Sequence, residues 1–427
     1  MFGILQTYSQ ETILNLKDAV AIAILKSTEA VLANTKIESK KLELDVVKNI
    51  QYPDFKISGQ YLRLAGATVE LPINGASQSS NSRPAPNVNE LIIGQANINM
   101  PLFSGFKIQN TIAANENLYK AEQSRAIQTK EEVALKVVEY YANLYRAKKS
   151  IKLISENLKS ASQRVTDFKD LEKNGVIARN DLLKAQLQQS KVQLSLDEST
   201  KNASILNFYL INLIKLPAEY IIEIDEHQFD NSKSETRIAT FADALKNRKD
   251  LEIFNFIKKA GENNIAIARS DYFPQIALKA GYTALRLQNV ATISNALSFG
   301  LGFNYDLSSI FKVGKNIKLA KNKLKETEQN QEILSENIKI QVFNATENYN
   351  LTLKQNLVYQ QAVEQASENY RIVKDKYDNG LSTTNDLLEA DVEQLNSKLN
   401  YALSRANSFL KYYEIQSAAG TLISSLK

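Results

Sequence analysis

Asp170-Leu171-Glu172-Lys173-Asn174-Gly175 recurs 205 residues later as Asp375-Lys376-Tyr377-Asp378-Asn379-Gly380. Both copies continue without a gap into Asn-Asp-Leu-Leu-x-Ala, at Asn180 to Ala185 and Asn385 to Ala390. Between 170–189 and 375–394 nine of twenty positions are identical, where residue usage alone gives about one or two. The chain is one structural unit built twice. Asn-Gly at the same place in each copy marks a helix that stops in a left-handed turn.

Upstream of the first copy, no proline or glycine occurs from Phe106 to Lys173. A helix over that stretch would be about 100 Å long at the α-helical rise. Its second half keeps a 3-4 apolar spacing through Ile151, Ile154, Leu158, Ala161, Val165 and Phe168, the pattern of a coiled-coil seam. The returning helix, about 179–215, carries Leu182, Ala185, Val192, Leu196, Ala203, Leu206, Leu210 and Leu213, and Pro217 ends it. In the second copy the long helix spans about 315–378, with Tyr359, Val363, Ala366, Tyr370, Val373 and Tyr377 on one seam. The last helix uses Leu388, Val392, Leu395, Leu399, Ala402, Ala406, Phe409 and Tyr413.

Ahead of each helical hairpin the period changes to two. Residues 16–51 read as helix until Pro53, and 244–271 until Pro274, because a residue before proline disfavours the helical region. Phe55, Ile57, Gly59 and Tyr61 then alternate as in a strand, and so do Ile92, Ala96, Ile98, Met100 and Leu102. In the second copy Ile276, Leu278, Ala280 and Tyr282 form one strand and Leu297 to Leu307 its partner. Loops at 65–90 and 288–296 lie between the strands and are expected to face outward. The organisation is therefore a first repeat over 11–216 (β-hairpin 54–103, helical hairpin 106–215), a connector at 217–240 without a strong period, and a second repeat over 241–427 (β-hairpin 275–307, helical hairpin 311–425). Residues 1–10 read either as the tail of a signal peptide, with the mature start near Gln10 or Glu11, or as a frayed terminus.

The 52 basic and 47 acidic residues are well mixed, and no basic block favours nucleic acid. Absence of cysteine and a single histidine, His227, argue against thiolate, zinc or histidine acid–base chemistry. No nucleophile–base pair or phosphate loop stands out either. The expectation is a protein that is not an enzyme, with no cofactor and no metal. No apolar stretch approaches the roughly 20 residues of a spanning helix, so any membrane insertion uses strands. Four strands of about ten residues are long enough when tilted, but they cannot close a barrel. Open edges in lipid would leave backbone groups unpaired at several kcal/mol each. Three copies would supply twelve strands. The fold class expected is mainly α with membrane β: duplicated coiled-coil hairpins forming an α-barrel, and four strands per chain completing a trimeric twelve-stranded β-barrel. The alternative is a soluble coiled-coil structural or scaffold protein.

Over about residues 14–424 the chain resembles the TolC-type outer-membrane efflux and secretion channels. The likeness rests on the double repeat, the strand starts after Pro53 and Pro274, and Tyr377-Asp-Asn-Gly380-x5-Asp386-Leu-Leu388-x-Ala390. It implies a homotrimer in the outer membrane of a Gram-negative bacterium, seated in lipid and extending into the periplasm as a helical tunnel. The N-terminus, the 217–240 connector and the C-terminus would form an equatorial region. Such a duct passively exports substrates from an inner-membrane pump through a periplasmic adaptor. The tunnel's constriction would fall at Tyr377, Asp386 and Glu389, the last standing where the family usually has Asp. Some members close the tip with an arginine two residues after the glycine, where this chain has Ser382. The turns at Gly175 and Gly380, with Asp181 as the first-repeat counterpart of Asp386, would meet the adaptor, and opening would splay the second hairpin around 360–400. Each residue also has a local reading: a capping box for Thr383 and Asp386, seam packing for Tyr377, a first-turn acid on the helix dipole for Asp181, and helix stops for the glycines.

Overall fold

The computed structural model describes residues 11–67, 88–230 and 238–426. The readings made of residues 1–10, of most of the 65–90 loop and of part of the connector lie outside the described residues. The chain packs as two compact units, and each draws on both repeats. One comprises Glu38–Glu122 and Phe254–Asn330; the other takes in residues up to Ile37, Gln123–Ile253 and Gln331–Lys427.

The first of these units holds a four-stranded antiparallel sheet of β2 (Asp54–Ala67), β3 (Val88–Phe103), β5 (Gln275–Leu287) and β6 (Ala291–Asn304), in that order. Phe55 pairs with Ile98, Ile98 with Ala280, and Ala280 with Phe299. Strand alternation therefore collects Phe55, Ile57, Ile98, Leu278, Leu297, Phe299, Leu301 and Phe303 on one face. Lys56, Ser58, Gln95, Asn97, Lys279 and Ser298 share the other. The apolar face is bare: Phe299 is 91% exposed and Leu297 80%. β6 starts six residues ahead of the expected Leu297. The β5–β6 connection is a tight turn in which Asn289 takes a positive φ of 61°, so most of the expected 288–296 loop is strand. Helix α8 (Ser309–Asp378) likewise starts ahead of the expected 315 and runs through Gly314, a tolerated cost of about 1 kcal/mol for glycine in a helix.

The other unit is helical around a core that includes Val137, Tyr141, Leu144, Leu210, Ile214, Ile415 and Leu422. Its main elements are α3 (Lys107–Lys173) from Gln123 onward, α4 (Arg179–Ile214), α8 from Gln331 onward, and α9 (Thr384–Ala418). A short parallel pair, β1 (Glu11–Leu14) with β4 (Ile221–Ile224), joins the connector to the N-terminal segment. Tyr141 donates its hydroxyl to the Leu14 carbonyl at 3.0 Å. Lys148 donates to the Ile222 carbonyl at 2.7 Å and pairs with Glu223 at 2.6 Å. Phe229, in the four-residue helix α5 (His227–Asp230), stacks on Tyr145 with ring centroids 3.8 Å apart and lies 4.3 Å from Phe409. Elements of four residues are too short for a period to show, which is why the connector looks patternless in sequence.

The helix expected over 16–51 is broken at Ser27 into α1 (Leu16–Lys26) and α2 (Thr28–Lys48). Ser27 is extended, with ψ 147°, and its hydroxyl caps α2 by accepting the Ala30 amide at 3.2 Å. The helix expected over 244–271 divides in the same way at Arg248, into α6 (Phe241–Asn247) and α7 (Lys249–Ser270).

Candidate functional site at the hairpin turns

The two repeat signals fold into matching turns. Gly175 ends α3 at φ 73° and Gly380 ends α8 at φ 75°, the left-handed conformation that glycine adopts without a Cβ penalty. Behind each glycine the next amide reaches back five residues, Val176 to the Leu171 carbonyl at 2.9 Å and Leu381 to Lys376 at 2.8 Å. These bonds satisfy the helix-end carbonyls and send the chain into the returning helix.

The returning helices start differently. Thr383 and Asp386 form a capping box on α9: Thr383 donates its amide to Asp386 Oδ2 at 2.9 Å and accepts the Asp386 amide at 3.3 Å. The Thr383 and Ser382 hydroxyls donate to the same oxygen at 2.8 and 3.1 Å. Hydrogen bonds from the Thr383 backbone, the Thr383 side chain and Ser382 hold the Asp386 carboxyl below the usual carboxylate range. Ser382 is thus part of the cap. Glu389 is exposed one turn further along. In the first repeat Ala178 supplies no side-chain cap, and Asp181 instead lies 3.6 Å from Lys184. Tyr377 packs its ring on Phe168, centroids 5.9 Å apart, and its hydroxyl lies 3.5 Å from Thr384 Oγ1. These side chains close a small apolar cluster of Val165, Phe168, Leu182, Ala185 and Leu387 between the two hairpins.

Above that cluster sits a buried polar network that the sequence reading passed over. Arg164 Nη1 donates to Asp391 Oδ2 at 2.9 Å, with side chains 10% and 3% exposed. Arg164 Nη2 donates to the Tyr370 hydroxyl at 3.2 Å, and Asn157 Nδ2 to Asp391 Oδ1 at 3.1 Å. Burial works against the Arg164 charge, but the hydrogen bond and attraction of Asp391 outweigh it and raise its pKa. Four side chains from α3, α8 and α9 thereby tie the first hairpin to the second. A signal was there: Arg164 stands eleven residues before Gly175, and Asp391 eleven after Gly380. Each sits beside a seam position, Val165 and Val392, where a charged side chain ordinarily stays in water.

Paired long helical hairpins and a four-stranded sheet with a bare apolar face define an outer-membrane channel of the type whose barrel several chains complete. The chain belongs to the outer membrane efflux protein family, whose model matches residues 33–205 and 241–421, one stretch in each repeat. No curated protein matches it in sequence. Among solved structures it is similar to the CmeC outer membrane channel of Campylobacter jejuni, with 18% identity, 98% of this chain and 91% of that one covered, and a TM-score of 0.77. It is also similar to the outer membrane protein VceC of Vibrio cholerae, with 15% identity, 95% and 96% covered, and a TM-score of 0.75. The open state of the MtrE outer membrane channel of Neisseria gonorrhoeae aligns with 16% identity, 95% and 89% covered, and a TM-score of 0.73. The protein is an outer-membrane efflux channel.

Two outcomes follow from the geometry. Arg164→Ala strands a buried carboxylate and should destabilise the helical hairpins by about 3–5 kcal/mol, whereas Arg164→Met with Asp391→Leu should be near neutral; urea midpoints followed by circular dichroism compare them. The Asp386 carboxylate has a depressed pKa in the folded chain. Its cap is therefore fully formed above the ordinary carboxylate value of about 3.9 and lost as pH falls through the lower folded value. Amide exchange at Asp386 should be slower in the parent than in Asp386→Asn at neutral pH, with the gap closing only below that range.

Proposed function

We propose that three copies of this chain form a homotrimer in the outer membrane of a Gram-negative cell, with twelve strands in lipid and the helical hairpins in the periplasm. The trimer is the passive exit duct of an assembly whose inner-membrane pump and periplasmic adaptor supply the substrate. The observation that carries this reading is a sheet whose apolar face is bare and whose edge strands, β2 and β6, have no further strand partner among the described residues. A soluble scaffold would leave that face in water, where contiguous apolar patches of this kind are rare. The opposite face offers amides, hydroxyls, Lys56 and Lys279 to a wet lumen, the alternation of a membrane barrel.

Tyr377, Asp386 and Glu389 line the constriction in this reading, and acidic side chains repeated by threefold symmetry favour cations. Asp386 serves as helix cap and pore charge together, since its bonds all converge on Oδ2. The turns at Gly175 and Gly380, with Asp181 beside the first, meet the adaptor. The duct carries out no chemistry of its own and needs no cofactor.

Fractionation and conductance test this. The protein should be recovered from outer membranes as a detergent-stable trimer, and Asp386→Ala with Glu389→Ala should weaken its cation selectivity in planar bilayers. Full solubility without detergent would sink the duct; unchanged selectivity would remove these two residues from its pore.

A further inference from the structure

Every strand of the sheet joins its helix at one end, through Asp54, Phe103, Gln275 or Asn304. At the other end two arginines stand on the apolar face. Tyr61 pairs with Ile92 and Ile92 with Arg286, so Arg286 shares the face of Phe55 and Ile98. Arg63 lies two residues past Tyr61 on that face, opposite Glu90. Both arginines are exposed, and neither has a hydrogen-bond or ion-pair partner among the described residues. Glu90 accepts the Tyr61 hydroxyl at 3.2 Å instead.

Ile276 begins the apolar face of β5 near the helices, and Arg286 follows it ten residues later. Ten residues of tilted strand rise about 26 Å. The apolar band of a membrane barrel is about 25 Å tall. In the barrel reading above, on which this step rests, both arginines therefore stand where hydrocarbon ends and headgroups begin. A lipid-facing charge is costly at mid-membrane and nearly free at that border. Tyr61 and Tyr282, 61% and 36% exposed on the same face, fit the aromatic girdle that marks such a border.

We propose that Arg63 and Arg286 form a site for the phosphates of a glycolipid in the outer leaflet. A guanidinium presents a planar fork that binds two phosphate oxygens at once. The two residues are separated by two strand spacings across the sheet and two residues along it, about 12 Å at the backbone. That span suits a headgroup carrying two phosphates, one for each fork. Two cations against the single carboxylate of Glu90 leave this border positive, and a positive border attracts anionic headgroups. Lys56 and Lys279 stand on the opposite face and take no part.

Native mass spectrometry of the full-length trimer in detergent, titrated with diphosphoryl lipid A, counts the lipid bound. The parent should bind it about tenfold or more tighter than does Arg63→Gln with Arg286→Gln. The parent should also prefer it by a like factor over lipid A stripped of both phosphates. Inorganic phosphate at the same concentration as the lipid should displace none of it. Conductance in planar bilayers should be the same for parent and variant, because neither arginine faces the lumen. Equal affinity of parent and variant overturns the site, and so does equal affinity for the stripped lipid. Displacement by inorganic phosphate overturns the lipid as its ligand, and an altered conductance overturns the lipid-facing placement. Should the glutamine variant fail to assemble, the parent's preference between the two lipids decides alone. A parent that forms no trimer overturns the duct reading together with this site, whereas a trimer without the preference overturns the site only.

Discussion

Everything in this molecule follows from an unfinished hydrogen-bond ladder. Four antiparallel strands satisfy one another inward, but β2 and β6 each carry an outer row of amides and carbonyls. In water such a row is solvated at little cost. In hydrocarbon it is not, and the apolar face built by Phe299, Leu301 and Phe303 belongs in hydrocarbon. The two demands are compatible only if the ladder closes on further copies of itself. The same logic runs through the helices, whose seams offer more apolar surface than one chain can cover.

Pseudo-symmetry lets one design serve both purposes. Each repeat supplies two strands and one helical hairpin, and equal spacing of the two turn signals makes the hairpins equal in reach. Departures from symmetry are where individual function resides. Thr383 gives α9 a capping box, while Ala178 gives α4 none. Arg164 and Asp391 form an ion pair where their counterparts are amides. A duplicated chain specialises by such substitutions, since the backbone plan tolerates either residue set.

The large elements were legible in the sequence because their signals are long. A glycine-free run of heptads and two Asn-Gly stops leave little choice for α3 and α4. Short or broken elements were not legible. Ser27 splits a helix by a local cap that no periodicity announces, and β1 with β4 depends on residues more than 200 positions apart. At the candidate site the capping role of Asp386 was readable from Thr383-x-x-Asp386. The Arg164–Asp391 pair was not, because a charge beside a heptad position is usually solvated and only the approach of the second hairpin buries it.

The cap on α9 also bears on the surroundings in which the duct works. Three donors converge on one oxygen of Asp386 and keep that carboxyl ionised well into acid. The first turn of that returning helix therefore keeps its cap at any pH above the ordinary carboxylate range, and a medium that turns mildly sour leaves the end of the second hairpin folded as it is.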